Sequence, residues 1–152
     1  MEITEDRAKR FIGAMVNLLG MMKASSDDCC EKFGGMSHKE FSIINYVGQF
    51  PDVRMKDIAE HMNAPISTLT SIVDKLVENN YLTRYHSAED RRVVMVTLAK
   101  AGRGLFDMCV EKTGELATIV LSEYVEADQD KYIDFLENIP KQFEDYRCEN
   151  FK

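Results

Sequence analysis

At 152 residues the chain is long enough for one packed domain, or one domain with helical extensions. A hydrophobic content of 45% excludes extended disorder, and a net charge of −7 excludes a protein that coats nucleic acid by bulk attraction. Only three prolines and a shortage of turn clusters favour helices over a sheet-rich fold.

The first predicted element is a helix from Thr4 to about Ser25, with Phe11, Met15, Leu18, Leu19 and Met22 at helical intervals. Ile12 and Val16 widen the stripe, so more than one side needs covering, by another helix or another subunit. Ser25 to Gly35 reads as a polar loop. Ser37 then caps a second helix, with Glu40 completing a capping box, and Phe41, Ile44 and Val47 mark its apolar side. Val53-Arg54 is placed as a very short strand. Met55 to Met62 is a short helix whose Ile58, Ala59 and Met62 face inward. Asn63 fits the left-handed residue that ends it, and Pro65 the first turn of the next helix. From Ile66 to Val77, Leu69, Ile72, Val73 and Leu76 form one stripe, while Ser67, Thr70, Ser71 and Asp74 point the other way.

Tyr81–Tyr85 and Val93–Leu98 are β-branched, aromatic-rich runs around a polar tip, so they read as a hairpin. Long helices follow from about Lys100 to Tyr124 and from about Asp128 to Tyr146. Pro140 is expected to kink or divide the last one. The result is a mainly α fold with a small β-hairpin. A helix of short polar side chains beside a hairpin tipped by Arg91 and Arg92 is a helix-turn-helix with a wing. Charge distribution agrees: residues 65–103 hold six basic and four acidic side chains, whereas residues 107–152 hold five and twelve. Only the first region suits phosphate.

These residues resemble the MarR family of winged-helix transcription regulators. The family's wing signature, Asp-x-Arg, five residues, then Leu-Thr, appears as Asp90-Arg91-Arg92, VVMVT, Leu98-Ala99. Its Leu-Ala-Glu-x-Leu helix matches Ile58-Ala59-Glu60-His61-Met62, and its Ser-Thr-rich helix matches Ser67 to Leu76. The Thr-x-x-Gly that commonly follows the wing is altered to Ala99-Lys100-Ala101-Gly102. Asn63 replaces the usual glycine, and Ile66 and Ser71 stand where basic side chains are common. The resemblance implies a homodimer that binds a pseudo-palindromic double-stranded DNA operator, with Arg92 in the minor groove and Asp90 orienting it by a charge-assisted hydrogen bond. It implies a dimerisation helix in residues 1–30, a DNA-binding lobe in 37–99 and dimerisation helices in 100–152, within one compact domain.

The candidate DNA-contacting set is Lys56, Pro65, Ile66, Ser67, Thr68, Thr70, Ser71, Lys75, Arg84, Asp90, Arg91 and Arg92. Short hydroxyls are mediocre helix formers but approach bases and phosphates closely. Lys56, Thr68 and Lys75, with Ser37 or His38, are expected on phosphates. Ile66 is open between a thymine methyl and the core. Met15, Met22 and Phe41 are candidates to line a pocket for a small apolar or aromatic effector acting between the dimer helices and the DNA-binding lobe. Cys29-Cys30 is a candidate redox pair, although Asp27, Asp28 and Glu31 disfavour a thiolate. His38, His61 and His86 are too scattered for a metal motif, and no cofactor is expected. No phosphate loop, nucleophile pairing or paired-carboxylate motif marks an enzyme. An acidic start without a signal pattern, and no span of membrane length, place the protein in the cytoplasm with reduced thiols. The expected activity is ligand-responsive repression. The rivals are a cysteine redox switch and a winged-helix interaction module without DNA binding.

Overall fold

The computed structural model describes residues 3–150; the outermost residues of the 1–30 and 100–152 segments lie outside it. Among the described residues six helices and three strands run in the order α1 (Glu5–Lys32), α2 (His38–Gly48), β1 (Val53–Arg54), α3 (Met55–His61), α4 (Ile66–Glu78), β2 (Leu82–His86), β3 (Val94–Leu98), α5 (Lys100–Ser122) and α6 (Glu126–Asn150). The chain divides into two compact units, one up to Phe106 and one from Asp107. Among the described residues no helix is long and apolar enough to cross a membrane.

In the first unit a three-stranded antiparallel sheet of order β1-β3-β2 closes one side of a small helical core. Val53 and Arg84 both pair with Val96, so the short β1 and the hairpin share the middle strand. Ile43, Ile44, Val47, Ile58, Leu69, Val73, Leu82, Val96 and Leu105 are the buried centre. Burying such side chains contributes roughly 1.5–3 kcal/mol each, which holds α2, α3 and α4 on the sheet. Gly102 explains why the residue after the wing must be small. A side chain there would collide with the carbonyl oxygen of Tyr81, which accepts a hydrogen bond from the Ala99 N–H at 3.0 Å.

Two expectations are corrected. Residues 25–32 are not a loop: α1 continues to Lys32. Ser and Asp cost only a few tenths of a kcal/mol each in a helix, and Cys30, buried on that last turn, favours its continuation. The stop comes at Gly34 and Gly35, with φ of 81° and 75°, where the N–H groups of Gly35 and Met36 both donate to the Cys30 carbonyl. Of the two outcomes expected at Pro140, a kink or a division, division does not occur: α6 runs through it. Proline there removes one hydrogen bond, to the carbonyl of Leu136, and that residue is exposed enough for water to replace it.

Candidate nucleic-acid interface

The turn between α3 and α4 is built by two residues with opposite backbone demands. Asn63 takes φ 46°, the left-handed conformation in which asparagine substitutes for glycine. Pro65 caps α4, and its carbonyl accepts from the N–H groups of Thr68 and Leu69 at 3.1 and 3.2 Å. Leu69, Val73 and Leu76 then turn one side of α4 into the core. The opposite side exposes Ser67, Thr68 and Ser71, with Thr70 half-buried at the margin.

The hydroxyls of this face differ in how free they are. Thr70 Oγ1 donates to the Ile66 carbonyl at 2.8 Å, and Ser71 Oγ to the Thr68 carbonyl at 2.9 Å. Their protons are committed to the helix, so toward a ligand these two oxygens act mainly as acceptors. Ile66 is 49% exposed, which decides its open reading in favour of the surface. With Lys56, Glu60, Asn63 and Pro65 it lines a shallow depression of about 500 Å³ at the helix-turn-helix corner. Lys56 lies 3.4 Å from Glu60 in an exposed pair, a weak tether that a phosphate can displace.

On the hairpin, Arg91 and Arg92 are exposed at the tip and enter no ion pair among the described residues. Asp90 does not hold the Arg92 guanidinium. Its Oδ1 accepts from the Arg92 backbone N–H at 2.9 Å, and the Asp90 carbonyl accepts from the Val93 N–H at 2.9 Å. Asp90 therefore shapes the turn that presents the arginine. The wing is fixed to its base by Tyr85, whose hydroxyl donates to the Asp52 carboxylate, and by Thr97, whose hydroxyl donates to the Pro51 carbonyl at 2.9 Å. The first of these bonds favours the neutral phenol and pushes the Tyr85 hydroxyl up.

Four residues expected on DNA, Arg84, Lys75, Ser37 and His38, are engaged within the protein. Arg84 pairs with Asp74 at 2.5 Å, tying β2 to α4. Lys75 pairs with Glu40 at 2.7 Å, tying α4 to α2. Ser37 caps α2: its N–H and Oγ–H both donate to Glu40 Oε2 at 2.7 Å, and His38 contacts Asp27 and Ser26 of α1. Burial alone would raise the Glu40 carboxyl. The hydrogen bonds from Lys75 and Ser37 outweigh it and hold that carboxyl below its ordinary value. Glu40 and Asp74 are the residues that sequence reasoning missed. Glu40 is legible as a cap and Asp74 as part of a polar face, but neither pairing leaves a local signal.

The family model described as MarR family matches residues 36–94, the span of α2, the helix-turn-helix and most of the wing. The winged-helix lobe is thus the part of the chain that matches the MarR family. In curated proteins, the uncharacterized HTH-type transcriptional regulator YfiV of Bacillus subtilis is 32% identical over 77 residues, 51% of this chain and 48% of YfiV. The match thus spans about half of that relative. A second, the uncharacterized HTH-type transcriptional regulator YpoP of the same organism, is 25% identical over 70% of this chain and 76% of its own length. Among solved structures, Streptococcus pneumoniae FabT in complex with DNA superposes with a TM-score of 0.76 at 22% identity, covering 94% of this chain and 99% of that one. The fold is shared across nearly the whole chain. Both curated relatives are described as HTH-type transcriptional regulators.

Around this lobe, the remaining candidates are dispersed. Met15 and Phe41 are half-buried and Met22 is 61% exposed, and none of the three lines the depression at the helix-turn-helix corner. Cys29 is half-buried and Cys30 buried, both as free thiols. Burial pushes the Cys30 thiol up; a hydrogen bond with Ser26 opposes this, and Asp27, Cys29 and Glu40 add to the rise. A thiol so placed is a poor nucleophile at neutral pH. Among the described residues no group of three or more His, Cys, Asp or Glu side chains is arranged to hold a metal ion.

Proposed function

We propose that this protein is a sequence-specific DNA-binding transcriptional regulator that acts as a homodimer and represses by occupying its operator. The observation that carries the reading is the pairing, on one MarR lobe, of an exposed Ser67/Thr68/Ser71 helix face with an exposed Arg91/Arg92 wing tip. Short hydroxyls reach base edges and phosphates in the major groove, and arginines on the wing meet the concentrated negative potential of a narrow minor groove. The structure of Streptococcus pneumoniae FabT in complex with DNA supports the same use of the fold.

The dimer draws support from unsatisfied apolar surface in each unit. In the first, Ile12, Val16, Leu18, Leu19 and Met22 lie exposed along α1. In the second, Ile119, Val120, Leu136 and Phe143 lie exposed on α5 and α6. Surface of this extent marks an association site, and a second copy of the chain covers it symmetrically. The ligand-responsive part of the reading rests on the apolar side chains of Met15, Met22 and Phe41, of which Met22 is exposed; an aromatic effector held there would bias the spacing of the two recognition helices. The experiment is binding of the purified protein to a duplex from its own upstream region and to a scrambled duplex, with footprinting of the protected half-sites. Two protected half-sites about one turn (roughly 10 bp) or a small multiple apart are expected. Equal affinity for both duplexes favours the interaction module without DNA recognition.

A further inference from the structure

We infer that Glu40 is a positioning residue that takes Lys75 out of phosphate contact and so lowers the sequence-independent part of the DNA affinity. The inference rests on the DNA-binding reading above. Lys75 is the one cation on α4, and its side chain is 64% exposed, so burial does not withdraw it. What withdraws it is the carboxylate 2.7 Å away on a different helix. Glu40 is itself buried, and both its oxygens are in use: Oε1 meets Lys75, while Oε2 accepts from the N–H and hydroxyl of Ser37. Leaving a buried carboxylate uncompensated is strongly destabilising, so Lys75 is not free to leave when a phosphate approaches.

The rest of α4 follows the same rule. Asp74 is neutralised by Arg84, and the other charged side chain, Glu78, is acidic. The recognition helix therefore offers DNA no unpaired cation. Affinity for arbitrary sequence comes almost wholly from cations released onto phosphate, and each such contact steepens the dependence of log K on log salt by about 0.9. Pairing Lys75 internally removes one contact's worth from every duplex, leaving hydroxyls and the wing arginines to supply the binding. A regulator so tempered spends less time on the excess of unrelated DNA.

The test uses the full-length protein and a salt series on operator and scrambled duplexes. Glu40→Gln keeps the capping box, which accepts glutamine, and frees the Lys75 ammonium. It is expected to steepen the salt slope by about 0.9 and tighten scrambled-duplex binding on the order of fivefold at 0.1 M salt. The double variant E40Q/K75M replaces a neutral pair by a neutral pair, and its slope is expected to equal that of the wild type. An unchanged slope in E40Q, or a slope flattened by about 0.9 in the double variant, overturns the inference while leaving DNA binding intact. Wild-type protein that binds no duplex at low salt overturns the DNA-binding reading and this inference with it. A readout without DNA checks the pair itself: by carboxyl NMR, Glu40 should titrate at higher pH in K75M than in wild type. Identical titration would also overturn the inference.

Discussion

Asp90 holds the backbone of Arg92, not its guanidinium: the carboxylate accepts the Arg92 N–H at 2.9 Å and closes a turn of the kind aspartate and asparagine form two residues ahead. The guanidinium is left exposed beyond it. The division of labour at the wing is thus geometric, with one residue setting the bend and the next presenting the charge.

Replacing Arg92 by Ala should cost about 1–3 kcal/mol of operator affinity, with thermal stability unchanged. Asp90→Ala should also weaken binding, because the tip loses its turn. Asp90→Asn should retain most of the affinity, since an amide oxygen accepts the same hydrogen bond. Fluorescence anisotropy with an operator duplex ranks the three. If Asn is as damaging as Ala, the carboxylate's charge matters more than the turn.

On α4 the loss of a hydroxyl should be read in discrimination, not in stability. Ser67 and Ser71 are exposed and make no core contact, so alanine at either should leave the melting temperature almost unchanged. Operator affinity should fall while scrambled-duplex affinity holds, since base contacts specify and phosphate contacts position. Parallel losses on both duplexes would mean that this face does not read bases.

Three glycines form a graded test of packing. Gly102→Ala drives a methyl into the Tyr81 carbonyl oxygen, which is backbone and cannot swing away, so a loss of about 1–3 kcal/mol is expected. Gly48→Ala meets the Phe106 ring, a side chain able to yield in part, and should cost less. Gly104 has nothing within 4 Å on an exposed helix face, and alanine there should stabilise by roughly 0.5–1 kcal/mol. Urea melts that reverse this order would contradict the packing of α5 against the β2 entry.

Acid should unfasten α2 from α4. The Glu40 carboxyl is held below its ordinary value, so the unfolded chain binds more protons than the folded one in that range. Its contribution is present above the unfolded carboxylate value of about 4.3 and is lost as pH falls through the lower folded value. Stability measured between roughly pH 6 and 3 should therefore decline less steeply in E40Q than in wild type. Equal slopes would show that Glu40 does not contribute.

Assembly is checked on the apolar face of α1. Val16 and Leu19 are both exposed, and Val16→Asp with Leu19→Asp should convert a dimer to a monomer without unfolding the lobe. Light scattering at micromolar concentration decides it. A wild-type monomer, or a variant that stays dimeric, places the interface elsewhere.

The order of elements, the helix-turn-helix corner and the hairpin are all legible in the amino-acid sequence. Those features are written in local physics: the period of Leu69, Val73 and Leu76, the left-handed Asn63, Pro65 before α4, and the Ser37–Glu40 capping box each act over a few residues. Tertiary structure alone decided which charges remain available to a partner. Lys75 and Glu40 sit on different helices, Arg84 and Asp74 on a strand and a helix, and neither pair has a spacing that a single element would reveal. The length of α1 was settled the same way, by the burial of Cys30 against a modest propensity penalty, and so was the surface position of Ile66. Side chains near in sequence compete through backbone preference. Those distant in sequence meet only when burial brings their elements together, and a charge is then neutralised by whatever the fold has placed beside it.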